Sequence, residues 1–205
     1  MTLPAFIDIK DIVSHAADIT LVAALLLFTT FSSKIKAWLE KQTNDKFERS
    51  INKNSRIRDQ LAELRVLYGA ERVLLFQLHN GQYYFSGEGA DKLSLTHFNV
   101  DAGIAVPENP GTRLANIPFT YLPDLFKLMT EKGMFFVKTS DMADPFAAQM
   151  LSMDGVEACV VGPIKDRRSF WRGVLLICFM SVPATPDISS ATAHAKRIAD
   201  LMTPT

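Results

Sequence analysis

Hydrophobic and polar positions fall into three regimes along this chain. From Ile19 to Ser33 no residue carries a charge, and Leu25-Leu26-Leu27-Phe28 form its most apolar part. From residue 34 to residue 68 the pattern is polar and helical, with few breakers. Ile57, Leu61, Leu64 and Tyr68 recur at spacings of four, three and four, which is one apolar stripe on a helix. Ile35, Trp38 and Leu39 form another such group, and Phe47 and Ile51 stand alone between the two. Gly69 ends the helix. Beyond it the pattern becomes short apolar runs broken by Gly, Pro and Asn, as expected of strands and turns.

The run from Glu71 to Gly81 organises the C-terminal part of the chain. Up to Phe76 almost every side chain is apolar, which predicts a strand covered on both faces. Alternation puts Gln77 and His79 on the face of Val73 and Leu75, and Leu74, Phe76 and Leu78 on the other. Asn80-Gly81 is a turn signal, because both residues tolerate positive φ. A buried strand that turns polar on one face just before a loop borders a site, or its polar groups simply bond the adjoining turn. Both readings are open.

The aromatic loop of residues 82–89 contains Tyr83, Tyr84 and Phe85, which either line a cleft, touch a membrane or partner, or cover the core edge. A strand is predicted over 93–100, with His97 inside it. Residues 101–118 hold three prolines and read as a long irregular connection. A helix runs from Pro123 to Lys132 and closes at Gly133. Residues 134–139 are a short strand. Asp144-Pro145 opens another helix, with Asp144 as its cap and Pro145 in its first turn, and Gly155 ends it. A hairpin pairs 157–164 with 172–180, and a turn centred between Arg168 and Ser169 sets Cys159 opposite Cys178. Such a pair is either a strained cross-strand disulfide or two buried thiols. The tip, Lys165 to Arg172, mixes cations with Phe170 and Trp171. It reads as a surface for headgroups or an acidic partner, or as a solvated turn with its aromatics packed inward. A last helix, capped by Ser189 or Ser190, runs to Met202.

The uncharged run changes the picture most. Fifteen helical residues span about 22 Å, short of a hydrocarbon core of about 30 Å. Extension back to Ile12 supplies the length and includes His15 and Asp18 near one end. The alternatives are a secretory signal and a buried or oligomerising helix. Only Lys10 is basic before the run, whereas Lys34, Lys36, Lys41, Lys46 and Arg49 stand closely after it. The positive-inside rule then places the C-terminal part in the cytoplasm of a single-pass inner-membrane protein.

Composition narrows the function classes. The 22 basic and 22 acidic residues cancel, which argues against a nucleic-acid binder needing a basic excess. No CxxC, HExxH, EF-hand, P-loop or GxSxG pattern occurs, so no metal, nucleotide or nucleophile motif is present. His79 and His97 with acids such as Asp91 or Asp101 are the remaining catalytic candidates, and they match no motif. We expect a protein that is not an enzyme.

The order helix, two strands, irregular segment, helix, strand, short helix, hairpin, helix resembles the GAF/PAS class of sensory domains, GAF in particular. The local match is Ala147 to Met180, where Gly155-Val156-Glu157-Ala158-Cys159-Val160-Val161-Gly162-Pro163-Ile164 leads through a polar turn to Trp171-Arg172-Gly173-Val174-Leu175-Leu176-Ile177. The resemblance covers about residues 56–203. It implies an α+β fold, a GAF-like antiparallel sheet flanked by helices; the hydropathy pattern places an N-terminal transmembrane helix and a long helical linker before it. The bounds are 1–33 for the N-terminal segment with its span, 34–55 for the linker and 56–205 for the domain.

One face of the sheet would carry the first and last helices, which often form a dimer contact. The other would enclose a small-molecule pocket. Gln77, His79 and Asn80 then fall on the pocket rim, with Tyr83, Tyr84, Phe98, Thr139, Met142 and Phe146 around it. The Asn-Lys-x-Asp-Glu pattern of cyclic-nucleotide GAF domains is absent, and neither cysteine lies in a pocket loop where a bilin attaches. The cofactor is therefore unknown, and an empty, structural pocket is the alternative.

A looser resemblance is to the holins of T-even phages, carried by Trp171-Arg172-Gly173-Val174-Leu175, Ile188-Ser189-Ser190 and Ala195-Lys196-Arg197-Ile198. It implies a periplasmic domain that docks a regulator protein. The expected function is a membrane-anchored sensory or regulatory module, self-associating through helix 34–68 and binding a small molecule or a partner. The alternative is a lysis-type membrane-assembly subunit. Reporter fusions at Thr205 separate them: a cytoplasm-active reporter should function and a periplasm-active one should stay silent, and the reverse result overturns the sensor topology.

Overall fold

A computed structural model describes residues 9–79, 91–105, 114–184 and 186–203, with side chains from Phe31 onward except those of residues 33 and 37. The chain divides into two compact units, Met1–Ile51 and Asn52–Thr205. Helix α1 (Ile9–Tyr68) supplies the described part of the first unit and the beginning of the second. In the first unit Phe31, Ile35, Trp38, Leu39, Phe47 and Ile51 are exposed. Lys36 and Glu40 pair at 4.0 Å across one helical turn, a solvated contact of little energetic weight. The expected membrane span falls on residues 12–33, whose side chains up to Thr30 lie outside the described residues. Among the described residues no helix is long and apolar enough to cross a membrane.

The second unit is a six-stranded antiparallel sheet between two helical layers. Its strands are β1 (Arg72–His79), β2 (Lys92–Val100), β3 (Ile117–Pro118), β4 (Phe135–Lys138), β5 (Ala158–Lys165) and β6 (Trp171–Phe179), and they lie side by side in the order β3-β2-β1-β6-β5-β4. β3 is a two-residue strand within the segment expected to be irregular. Its Pro118 lies at the sheet edge, where a missing N–H costs nothing. Helices α2 (Pro123–Lys132) and α3 (Pro145–Met153) cover one face, and α4 (Ile188–Met202) with the end of α1 covers the other.

Alternation along the strands feeds both layers. Val73 and Leu75 of β1, Leu175 and Ile177 of β6 and Val160 of β5 pack with Ile57, Leu61 and Leu64 of α1. Those three α1 residues are completely buried, so the predicted stripe docks on the sheet. Ala191, Ala195 and Ala199 of α4 are small enough to bring that helix close. Leu74 and Phe76 of β1, with Val174 and Leu176 of β6, turn to the α2/α3 layer. Polar contacts hold α1 from both flanks. Lys53 Nζ donates to the Met202 carbonyl at 3.0 Å, and Arg65 donates to Asn99 and Asp101 at 2.7 and 2.5 Å. The Tyr68 hydroxyl meets the Asp187 carbonyl and accepts from the Ala191 N–H.

The hairpin forms in the expected register, with Cys159 opposite Cys178. Both are free, buried thiols, so the disulfide alternative is set aside. Burial pushes the Cys159 thiol up to about 12 and raises that of Cys178 too. Two caps differ from expectation. α4 is capped by Asp187, one residue before the helix, whose carboxylate accepts the Ser189 N–H at 2.9 Å and both the Ser189 and Ser190 hydroxyls at 2.6 Å. An acid accepts several donors at once, which a serine hydroxyl does not. Asp144 does not cap its own helix, because its carboxylate is committed to α2.

β1 and β6 approach closely at Gln77 and Gly173. A Cβ at Gly173 would overlap the backbone oxygen of Phe76, and no rotamer change relieves a clash with main chain. Gly173→Ala should therefore destabilise the domain by roughly 3 kcal/mol or more in denaturant titrations. A loss below about 1 kcal/mol would contradict this packing.

Candidate functional site

Among the described residues, the space between the sheet and the α2/α3 layer is almost filled. What remains is a void of about 30 Å³ lined only by apolar side chains, among them Phe76, Leu125, Met142, Met150 and Leu176. That is room for about one water, with no polar lining group among the described residues to hold it.

An open cleft of about 500 Å³ lies instead at the end of the sheet. β1 brings Leu78 and His79 to it, β6 brings Trp171 and Arg172, and Asp91 stands just before β2. Phe119 comes from the 3-10 turn Phe119–Tyr121 after β3. Phe126 and Thr130 lie four apart on α2 and so share a helix face. Phe119 and Phe126 stack with centroids 4.0 Å apart, and Phe126 meets Trp171 at 5.4 Å with the rings tilted by 50°. These three rings make an aromatic wall.

Buried acids position that wall. Asp144 is 3% exposed, and its two carboxylate oxygens accept the Asp124 and Leu125 N–H groups at 3.2 and 2.5 Å. A carboxylate at the first turn of α2 meets the positive end of the helix dipole and holds Phe126 in place. Asp166 shapes the β5–β6 turn by accepting the Arg168 and Phe170 N–H groups at 2.9 and 3.0 Å. It also accepts Nε and Nη2 of Arg172 at 3.0 and 2.7 Å. Desolvation is the largest single influence on this carboxyl and raises its pKa, but the hydrogen bonds and the guanidinium charge together outweigh it and leave the pKa lowered. Ser169 closes the turn in the left-handed region at φ 63°. Lys165 Nζ lies 5.0 Å from the Trp171 ring centroid, a cation–π contact. The tip is thus mixed: Trp171 packs inward against the α2/α3 layer, and Phe170 is exposed.

The residues expected at the site are dispersed. His79 lines the cleft and bonds Ser94 Oγ through Nε2 at 2.8 Å. Gln77 shares the face of Val73 and Leu75, which is the α1/α4 side and not the pocket side that the resemblance implied. Phe98, Met142 and Phe146 pack against the α2/α3 layer, where Met142 borders the small void and Phe146 lies 5.2 Å from Tyr121. Thr139 is buried, and its hydroxyl and N–H are spent on the carbonyls of Val156 and Glu157 at 2.7 and 2.9 Å. Asn80, Tyr83 and Tyr84 lie outside the described residues. The four groups weighed for catalysis go separate ways: His97 bonds Asn54 and Thr96, Asp101 pairs with Arg65, His79 bonds Ser94, and Asp91 stands at the cleft. Phe119, Phe126 and Thr130 carried no signal of their own in the sequence.

No family profile and no curated sequence matches this chain. Solved structures do match. A far-red cyanobacteriochrome photoreceptor aligns at a TM-score of 0.54 and 13% identity, over 82% of this chain and 97% of that one. The fold is GAF-like. The phycoerythrobilin-bound GAF domain of a cyanobacterial phytochrome aligns at 0.52 and 15% identity, over 79% and 91%. The GAF domain region of a protein described as a membrane protein, from Geobacter sulfurreducens PCA, aligns at 0.50 and 12%, over 77% and 97%. At these identities the likeness is one of fold. The comparisons lend no support to the resemblance to phage holins.

His97 gives the GAF-like domain a pH dependence. Its Nε2 lies 3.2 Å from Asn54 Oδ1 on α1, and burial, then the charge of Lys53, lower its pKa below 6.5. The unfolded chain then binds the proton more readily, so this contribution is complete above pH 6.5 and is lost as pH falls through the folded value. Melting temperature should fall between pH 7.5 and pH 5.5, and less so in His97→Asn. Parallel profiles for the two proteins would refute this assignment.

Proposed function

We propose that this chain is a sensory or regulatory binding module in which a small molecule occupies the aromatic cleft and biases α1. The observation that carries this reading is the double role of β1. Its far end supplies Leu78 and His79 to the cleft, and its near end supplies Val73 and Leu75 to the seat of α1. A ligand that binds one arrangement of the strand end better than another shifts the population of that arrangement, and the packed strand relates it to the helix. GAF domains of the similar structures include a bilin-bound one, which supports a ligand-binding role for the fold.

A covalently held bilin does not suit this chain. Its only two cysteines are buried in the sheet with their thiols held protonated, and the interlayer void is about 30 Å³. A thioether needs a reachable thiolate. The cleft, at about 500 Å³, falls in the range of small-molecule sites.

The N-terminal segment would anchor the module as a single span of the inner membrane, with the domain in the cytoplasm. The uncharged run 19–33 and the cations after it support this. Self-association would run through residues 34–68, where Phe47, Ile51, Val66 and Leu67 expose apolar surface. No catalytic role is assigned.

A thermal-shift screen of the full chain in detergent against a metabolite panel tests the reading. A ligand at a hundred times its Kd should raise the melting temperature by roughly 5–10 °C. The shift should vanish in Phe126→Ala, and amide exchange over residues 54–68 should change with it. An unresponsive panel, or shifts that survive Phe126→Ala, would overturn the proposal.

A further inference from the structure

We propose that the β5–β6 turn, Lys165 to Arg172, is a second interaction surface of the domain, which docks on an anionic lipid membrane through its cations and Phe170. This needs neither a ligand in the aromatic cleft nor the N-terminal span.

The chain as a whole carries no net charge, whereas this stretch holds four cations, Lys165, Arg167, Arg168 and Arg172, against one acid, Asp166. Its neighbours do not offset that excess. Lys196 and Asp200 of α4 face the turn across an open cleft of about 490 Å³. Gly133 lines the same cleft, and the α2 residues just before it are Glu131 and Lys132. Each of these two pairs is neutral in sum. Within the cluster, Asp166 pairs with Arg172 at 2.7 Å and Asp200 with Arg167 at 2.9 Å. Lys165, Arg168 and Lys196 then have no carboxylate partner among the described residues.

Phe170 supplies the apolar part. It is 61% exposed and joins neither packed layer. Its N–H donates to the Asp166 carboxylate at 3.0 Å, and its carbonyl accepts the Asp166 N–H at 2.9 Å, so the ring is displayed from a fixed turn. Phe170 and Arg168 line one open cleft of about 530 Å³, where a headgroup phosphate reaches the guanidinium beside the ring. Cations around a single aromatic ring suit a bilayer surface. Each Lys or Arg near anionic headgroups raises affinity about fivefold, and an aromatic side chain settles at the headgroup level. A folded protein partner would instead need about 800 Å² of complementary surface with an apolar centre. Phe170 is the one large apolar side chain exposed on this turn.

Both native thiols are buried, so Phe170→Cys takes an environment-sensitive nitrobenzoxadiazole label at that position alone. The label replaces one aromatic ring with another. The labelled full chain is placed in nanodiscs of phosphatidylcholine, alone or mixed with phosphatidylglycerol. In the mixed discs its emission should shift to the blue and its quenching by aqueous iodide should be lost. About 1 M salt, which shortens the Debye length to about 3 Å, should reverse both changes. Lys165→Gln, Arg168→Gln and Lys196→Gln combined should abolish them, and Arg168→Gln alone should reduce them, in variants whose melting temperature is unchanged. Identical emission in the two discs, or a blue shift that survives the three substitutions, overturns the proposal. A shift of equal size with poly-glutamate in detergent and no lipid overturns the membrane as partner and assigns the turn to an acidic protein. Flotation of the unlabelled chain on neutral vesicles reads the N-terminal anchor separately.

Discussion

The central strand β1 is buried on both faces and paired on both edges, and its neighbours must conform to it. Val73 and Leu75 enter one layer while Leu74 and Phe76 enter the other, and all four are at most 3% exposed. Burial of such side chains contributes about 1.5–3 kcal/mol each as an upper estimate, so four of them together are comparable to the whole stability of a domain. A slip of one residue would exchange the two sets between layers. The register is therefore tightly held, and β6 must come close enough that only glycine fits at position 173.

That rigidity is what makes the strand end useful. Where β1 leaves the double cover, Leu78 and His79 reach a cleft walled by residues from four other segments. None of those segments would hold its side chain in place unaided. Buried or internally bonded acids do that work: Asp144 fixes the start of α2, and Asp166 fixes the β5–β6 turn together with Arg172. Each acid spends its acceptors on the scaffold.

The cleft and the seat of α1 share one strand but lie at opposite ends of it. α1 is held by three buried apolar residues and by polar contacts on both flanks, including the His97–Asn54 bond. Apolar burial supplies the affinity of the helix for the sheet. Of the polar contacts, the His97–Asn54 bond is the one that protonation reaches.

Local periodicity in the sequence determined a great deal. The stripe Ile57, Leu61, Leu64, the two faces of β1, the α2 and α3 boundaries and the Cys159–Cys178 register were all legible from spacing, because each depends on residues close in the chain or related by one turn. The cap of α4 needed more, since Asp187 outcompetes two neighbouring serines only when its accepted hydrogen bonds are counted. The layer that Gln77 faces, the partner of Asp144 and the meeting of Phe119, Phe126 and Trp171 were decided by tertiary structure alone. Those contacts join residues far apart in the chain, such as Asp144 with Leu125 and Trp171 with Phe126, and no local pattern encodes which of many apolar side chains will meet at the end of a sheet.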